Sequence, residues 1–220
     1  MTDPARPEAV VFDFDGLMVN TEELYDDVGS EVLRRRGKRF TGDLKDKMMG
    51  RPGYVALQIM IDWHGLTDTV EQLQAESEQV FDSILPKRLA PMPGLLELLS
   101  ALQTAGIRRA IATSSRRRFV EQALSLLNVA TPFEFVLSAE NVQRGKPDPE
   151  IYQTAARVLG LPPARMLVLE DSENGCRAAV AAGTYAVAVP SLHSRHHDFA
   201  GVILVADSLA DRRIYAALGL

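Results

Sequence analysis

Cysteine is nearly absent from this chain of 220 residues, which carries a single thiol at Cys176. One thiol cannot form an intramolecular disulfide, so the fold has to be stabilised by its core. With 46% hydrophobic residues, the chain can bury a sizeable one. We interpret Cys176, within NGCRAAVAAG, as a small buried residue and not as a nucleophile.

Long apolar runs and a surplus of positive charge are missing as well. No stretch approaches the roughly 18 apolar residues that a membrane span requires, and the N-terminus lacks the hydrophobic region of a signal peptide. The net charge of −5 gives no support to nucleic-acid binding. We therefore expect a cytoplasmic protein with no nucleic-acid, membrane or obligate protein partner.

The chain also lacks the G-x-G-x-x-G fingerprint of dinucleotide-binding folds after its first apolar run. It has instead six short runs rich in Val and Ile, at 9–15, 108–115, 133–140, 165–172, 184–191 and 201–208. Helical patterns separate most of them, such as GLLELLSALQTAG at 94–106. The alternation predicts an α/β fold with a Rossmann-like parallel sheet and helices on both faces.

One long interval interrupts this alternation. Residues 17 to about 88 contain four helical patterns and no convincing strand, and three prolines follow within 85–94. We predict an all-helical cap domain at 17–89, inserted into a core domain formed by 1–16 and 90–220, with linkers near 17–21 and 86–92. An insertion of this length between two strands is normally functional, as a lid is.

Polar side chains follow four of the predicted strands, where ligands bind in open parallel sheets. Each group alone could be a helix cap or a solvated charge. Together at one edge they fit phosphoryl transfer: carboxylates can hold Mg²⁺, a hydroxyl and a lysine can bind phosphate oxygens, and one carboxylate can attack phosphorus. In chain order these residues are Asp13, Asp15, Thr113, Ser114, Ser115, Lys146, Glu170 and Asp171.

Four motifs containing these residues carry a family resemblance. They are D-F-D-G-L (13–17), A-T-S-S (112–115), G-K-P-D-P (145–149) and E-D-S-x-x-G (170–175). In this order they resemble the haloacid dehalogenase (HAD) superfamily of phosphohydrolases. The similarity covers about residues 8–210 and points to the subfamily with a helical cap, which includes beta-phosphoglucomutases and phosphoglycolate phosphatases.

The resemblance implies a role for each motif residue. Asp13 would be the nucleophile that forms an aspartyl-phosphate, and Asp15 would protonate the leaving group and then activate water. Thr113 and the Ser114 amide would bind the phosphate, while Lys146 would balance charge between the phosphate and Asp13. On a strand extended through 15, residues two apart point the same way, which suits this division of labour between Asp13 and Asp15.

The resemblance also implies a Mg²⁺ site. Asp13, the backbone carbonyl of Asp15 and Asp171 would hold the ion. Glu170 would lie nearby or bind it through water.

Two arginines are candidates for substrate recognition. Arg51 lies in the turn MMGRPGY (48–54) of the predicted cap, where it would read an anionic or sugar group, although a solvated side chain explains it equally well. Arg116 is expected at the start of the helix after strand two, where the macrodipole is positive and an incoming anion is favoured. Because the mutases place a lysine there, the resemblance implies that Arg116 binds the phosphorylated end of the substrate.

We therefore predict a Mg²⁺-dependent phosphatase, a phosphoric monoester hydrolase acting on a small phosphorylated metabolite such as a sugar phosphate. The alternative within the family is a mutase of the beta-phosphoglucomutase type. That alternative is weakened because Tyr25 stands where those enzymes carry a histidine, and Gly53 where they carry an arginine. Dehalogenation is disfavoured by Asp15, since dehalogenases need no proton donor at that position.

A receiver-like phospho-acceptor module is the alternative that is not an enzyme. Receiver domains also combine acidic residues, a hydroxyl and a lysine around Mg²⁺. They place the acceptor aspartate on the third strand and the lysine last, however, whereas here Lys146 precedes Glu170 and Asp171. The motif order therefore favours the phosphatase.

Overall fold

The computed structural model describes residues 6–48, 51, 53–129 and 132–220. All six predicted strands are present in these ranges, although each is shorter than its apolar run. They are β1 (Ala9–Phe12), β2 (Arg108–Ala112), β3 (Val136–Leu137), β4 (Met166–Glu170), β5 (Tyr185–Ala188) and β6 (Leu204–Val205). The strands form one parallel sheet in the order β3-β2-β1-β4-β5-β6.

The α-helices of the described residues fall into two sets. Those between β1 and β2 are α1 (Thr21–Arg34), α2 (Gly42–Met48), α3 (Gly53–His64), α4 (Val70–Arg88) and α5 (Leu95–Thr104). Those that follow β2 are α6 (Arg117–Leu126), α7 (Glu150–Leu159), α8 (Glu173–Ala181) and α9 (Arg212–Leu218). Short 3₁₀ helices occupy Ala139–Asn141 and Pro163–Arg165.

The middle of the sheet is buried on both faces, which explains why its strands are apolar without alternation. Every residue of β1 is buried. Ala9 and Val11 of β1 pack in one cluster with the inner faces of α7 and α8, while α5 packs against β2 outside that cluster. The predicted fold class, a Rossmann-like parallel sheet with an inserted all-helical domain, is confirmed.

The chain divides into two compact units. One comprises the described residues up to Asn20 together with Ala90–Leu220, and the other is Thr21–Leu89. The helical unit has a core of its own, built on residues such as Leu33, Leu44 and Leu73. Nowhere in the described ranges does a helix combine the length and the apolar character that crossing a bilayer would require.

The structure differs from the sequence prediction at two helices. The linker expected at 86–92 begins later, because α4 continues through Pro86 and ends at Arg88. Pro86 removes only one backbone donor close to the helix end, and the buried Leu85 still accepts from the Leu89 amide at 3.0 Å. The helix α9 was not predicted, although Asp211 caps its first turn and a glycine ends it.

Candidate active site

The chain turns sharply after β1. The strand ends at Phe12 and not at Asp15 as predicted, although the Asp13 amide still donates to the Leu169 carbonyl of β4 at 2.9 Å. Gly16 then adopts a left-handed conformation with φ of 72°, and its amide donates to the Val19 carbonyl at 2.9 Å. The direction of the Asp15 side chain is therefore set by this turn and not by strand alternation.

Lys146 joins the ends of β1, β2 and β4. Its ammonium contacts Oδ1 of Asp13, donates to Oε1 of Glu170 at 2.6 Å and donates to the Ala112 carbonyl at 3.0 Å. Only 6% of its side chain is exposed. The structure thus brings the lysine of the third motif into direct contact with the acidic residues of the first and fourth.

Both carboxylate oxygens of Glu170 accept hydrogen bonds from neutral groups as well. The Tyr152 hydroxyl donates to Oε1 at 2.6 Å, and the Ser172 hydroxyl donates to Oε2 at 3.1 Å. Tyr152 and Ser172 were not among the predicted site residues. Ser172 could have been noticed inside E-D-S-x-x-G, but Tyr152 lies on the apolar face of α7 and reads as a core residue.

Three buried carboxylates lie close enough to share one cation. Oxygens of Asp13, Glu170 and Asp171 are all within 4.8 Å of one another. Burial raises the pKa of Asp13 to about 8, opposed by Lys146 and assisted by Glu170 and Asp15. A cation among these oxygens would offset the cost of keeping them ionised.

The chemistry of this cluster suits a hard divalent ion, because all three donors are carboxylate oxygens. Gly16 leaves space beside it: a Cβ at this position would lie 2.5 Å from Oδ2 of Asp171. The donor set and the close approach of the backbone therefore fit a divalent metal such as the one expected from the sequence.

Asp15 faces the end of β2. The Ser115 hydroxyl donates to its Oδ2 at 2.5 Å, and the Thr113 hydroxyl lies 3.4 Å from the same oxygen. Thr113 in turn accepts from the Ser115 amide at 3.0 Å. The side chain of Asp15 is not part of the acidic cluster found among the described residues. Ser115 belongs to the quoted A-T-S-S motif but had no predicted role.

The other predicted residues lie at exposed positions. Ser114 is exposed after β2, and Arg116 is exposed at the N-cap of α6. Arg51 is exposed in a bend of the helical unit. Its loop, 48–54, falls partly outside the described residues, which omit 49, 50 and 52.

Comparison with known proteins identifies relatives over most of the chain. A family model described as haloacid dehalogenase-like hydrolase matches residues 10–189. A "Phosphorylated carbohydrates phosphatase" of Thermotoga maritima is 34% identical over 180 residues, which cover 80% of this chain and 82% of the relative.

Solved structures share the fold over nearly the whole length. CbbY from Rhodobacter sphaeroides, in complex with phosphate, matches with a TM-score of 0.79 and 28% identity, covering 97% of this chain and 100% of its own. A HAD family hydrolase from Deinococcus radiodurans, with bound phosphate and sodium, matches with a TM-score of 0.81 and 27% identity, covering 97% of each chain.

Proposed function

The chain belongs to the haloacid dehalogenase-like hydrolase family, and we propose that it is a Mg²⁺-dependent phosphatase acting on a small phosphorylated metabolite of the sugar phosphate class. One observation carries the proposal. The buried carboxylate of Asp13 contacts the ammonium of Lys146 and lies within 4.8 Å of Glu170 and Asp171, at the carboxyl end of the central strand.

In the proposed reaction Asp13 is the nucleophile. One of its carboxylate oxygens attacks phosphorus, and the bond from phosphorus to the ester oxygen breaks. Asp15 gives its proton to that leaving oxygen and then accepts a proton from the water that attacks the aspartyl-phosphate. The second attack releases phosphate and restores the Asp13 carboxylate.

The metal would be held by Asp13, the Asp15 carbonyl and Asp171, with Glu170 beside it or reaching it through water. When bound, Mg²⁺ neutralises charge, so that an anionic carboxylate and an anionic phosphate can approach each other. The assignment is supported by the donor chemistry of the acidic cluster.

Phosphate oxygens would be bound by residues after the carboxyl end of β2 and by the G-K-P-D-P motif. Thr113 and the Ser114 amide bind the phosphate from one side, and Lys146 places its ammonium between the phosphate and Asp13. Arg116, exposed at the start of α6, would bind the phosphorylated end of the substrate. Arg51, exposed in the helical unit, keeps its predicted role as the reader of an anionic or sugar group.

Hydrolysis is favoured over mutase activity by the helical unit. Tyr25 occupies the position where the mutases carry a histidine, and its ring stacks on Phe81 with centroids 5.3 Å apart. A phenol packed in this way is a poor replacement for an imidazole that exchanges protons near neutral pH. Gly53 supplies no guanidinium where those enzymes have one.

The decisive experiment is a phosphate-release screen over sugar phosphates, phosphoglycolate and nucleotides with Mg²⁺. We expect turnover of at least one sugar phosphate, and a loss on the order of 10⁴-fold in kcat for Asp13→Asn, because the nucleophile is removed. Asp207→Asn is the matched control, since that side chain is 99% exposed. It should keep wild-type turnover.

Two results would contradict the proposal. Phosphate release that persists in the Asp13→Asn variant would exclude Asp13 as the nucleophile. Conversion of beta-glucose 1-phosphate to glucose 6-phosphate with a bisphosphate primer, without release of phosphate, would establish the mutase instead.

A further inference from the structure

Glu170 shares one of its oxygens between a charged donor and a neutral donor. Lys146 and Tyr152 both donate to Oε1, each at 2.6 Å. The Tyr152 ring also lies beside the ammonium, with 5.1 Å between Nζ and the ring centroid. Tyr152 therefore contacts both members of the Lys146–Glu170 ion pair.

Lys146 has no spare donor in this arrangement. An ammonium has three N–H groups, and its acceptors here are Asp13, Glu170 and the Ala112 carbonyl. To donate to a phosphate oxygen, Lys146 has to give up or share one of these contacts. Glu170 is an acceptor with other donors, because the hydroxyls of Tyr152 and Ser172 also donate to it.

We propose that Tyr152 is a positioning residue whose hydroxyl holds Glu170 in place, so that Lys146 can turn from Glu170 to the substrate phosphate. This inference rests on the proposed phosphatase function. Glu170 is 1% exposed, and a buried carboxylate that loses a donor is destabilised unless another one remains. With Tyr152 on Oε1 and Ser172 on Oε2, both oxygens stay hydrogen-bonded after Lys146 moves.

A purely structural role for Tyr152 makes a different prediction. The residue is fully buried and packs in the cluster beneath the sheet with Ile151 and Ala155. If it only filled space, phenylalanine would replace it without effect, because the ring volume and the contact with the ammonium would be retained. The hydroxyl alone separates the two roles.

The experiment compares Tyr152→Phe with the wild-type protein in Mg²⁺. Binding of inorganic phosphate is measured by calorimetry, and kcat and KM are measured with the best ester from the screen. Without the hydroxyl, Glu170 retains Lys146 more firmly, so we expect phosphate affinity and kcat/KM to fall about tenfold, the size expected for one hydrogen bond to a charged group. Loss of one buried hydrogen bond should lower the melting temperature by roughly 2–6 °C, which leaves the variant folded.

Two controls test whether the effect is specific to the Tyr152 hydroxyl and whether it acts through Glu170. Tyr215→Phe, in α9, removes the hydroxyl of a partly buried tyrosine outside the carboxylate cluster and should behave as wild type. In a Glu170→Gln background, Tyr152→Phe should change phosphate affinity by less than about twofold, because Tyr152 acts through Glu170.

Unchanged phosphate affinity and kcat/KM in Tyr152→Phe would overturn the inference, as would an equal loss with and without Glu170. Failure of the wild-type protein to bind inorganic phosphate would overturn it too. Failure to hydrolyse any ester overturns the phosphatase instead and is recognised separately, since phosphate binding is measured without turnover.

Discussion

Two glycines provide the space in which the acidic cluster forms. Gly175 lies against the Glu170 carboxyl group, and a Cβ at that position would overlap it. Gly16 combines a φ of 72° with a close approach to Asp171. Gly16 in D-F-D-G-L and Gly175 in E-D-S-x-x-G are thus required by the packing of the carboxylates next to them, in addition to any requirement of the turn.

Gly175→Ala is expected to displace Glu170 and with it Lys146. Adding a methyl group to this packed site should lower the free energy of unfolding by about 1–3 kcal/mol and reduce kcat, because Lys146 loses its anchored partner. Urea denaturation and phosphate release measure the two effects. Gly42→Ala is the matched control, because a Cβ there meets nothing within 4 Å. Equal behaviour of the two variants would refute the packing argument.

Helices α1 and α4 are joined by a charged network that the sequence pattern did not reveal. Arg36, just after α1, donates to Asp68 at 2.6 Å and to Glu76 at 2.6 Å. Arg36 lowers the pKa of both carboxyl groups through these hydrogen bonds. The arginine run at 34–36 therefore includes one residue, Arg36, that links the end of α1 to α4 and the residues just before it.

This network predicts acid sensitivity of the helical unit. A carboxyl group whose pKa is lowered by folding binds fewer protons in the folded state than in the unfolded state. Its contribution is therefore present above the unfolded pKa, about 4, and is lost as the pH falls through the lowered value. Urea unfolding between pH 7 and pH 3 should show stability falling below about pH 5, and less steeply in Arg36→Met.

Arg157→Met is the control for this measurement, because Arg157 donates to a threonine hydroxyl and not to a carboxylate. It should keep the wild-type pH dependence. A slope that is the same in Arg36→Met and in the control would show that the network does not govern acid stability.

The whole molecule tolerates a 69-residue unit between β1 and β2 because the chain leaves and re-enters the core at one place. The Asn20 amide donates to the Ala90 carbonyl at 3.2 Å, and the Ala90 amide donates to the Asn20 side chain at 2.8 Å. The Met92 amide donates to the Met18 carbonyl at 2.9 Å in the same paired segment. The insertion therefore leaves the sheet uninterrupted.

Excision of Thr21–Leu89, with a short glycine–serine link from Asn20 to Ala90, should leave a core that folds. The ends to be joined are already hydrogen-bonded, so closing the loop costs little entropy. We expect a single cooperative thermal transition and a far-UV circular dichroism spectrum with reduced helix content. Absence of a cooperative transition would mean that the core depends on the helical unit.

The fold class and the hydrolase class were both predictable and are confirmed. Apolar runs separated by helical patterns are enough to indicate a parallel sheet, and four short motifs in order are enough to indicate the family. Helix limits were less predictable: α4 continues past Pro86 to Arg88, where a break was expected. The roles of the site residues and the domain limits remain predictions, which the experiments above address.

Local pattern was sufficient to locate the acidic residues, since parallel strands present their carboxyl ends at the same edge wherever the chain places them. Which donor faces which carboxylate depended on the tertiary structure. Tyr152 is 18 positions from Glu170, and Ser115 is 100 positions from Asp15. These pairs meet because α7 packs beneath the sheet and because the chain turns after β1, and neither contact leaves a periodic trace in the residues themselves.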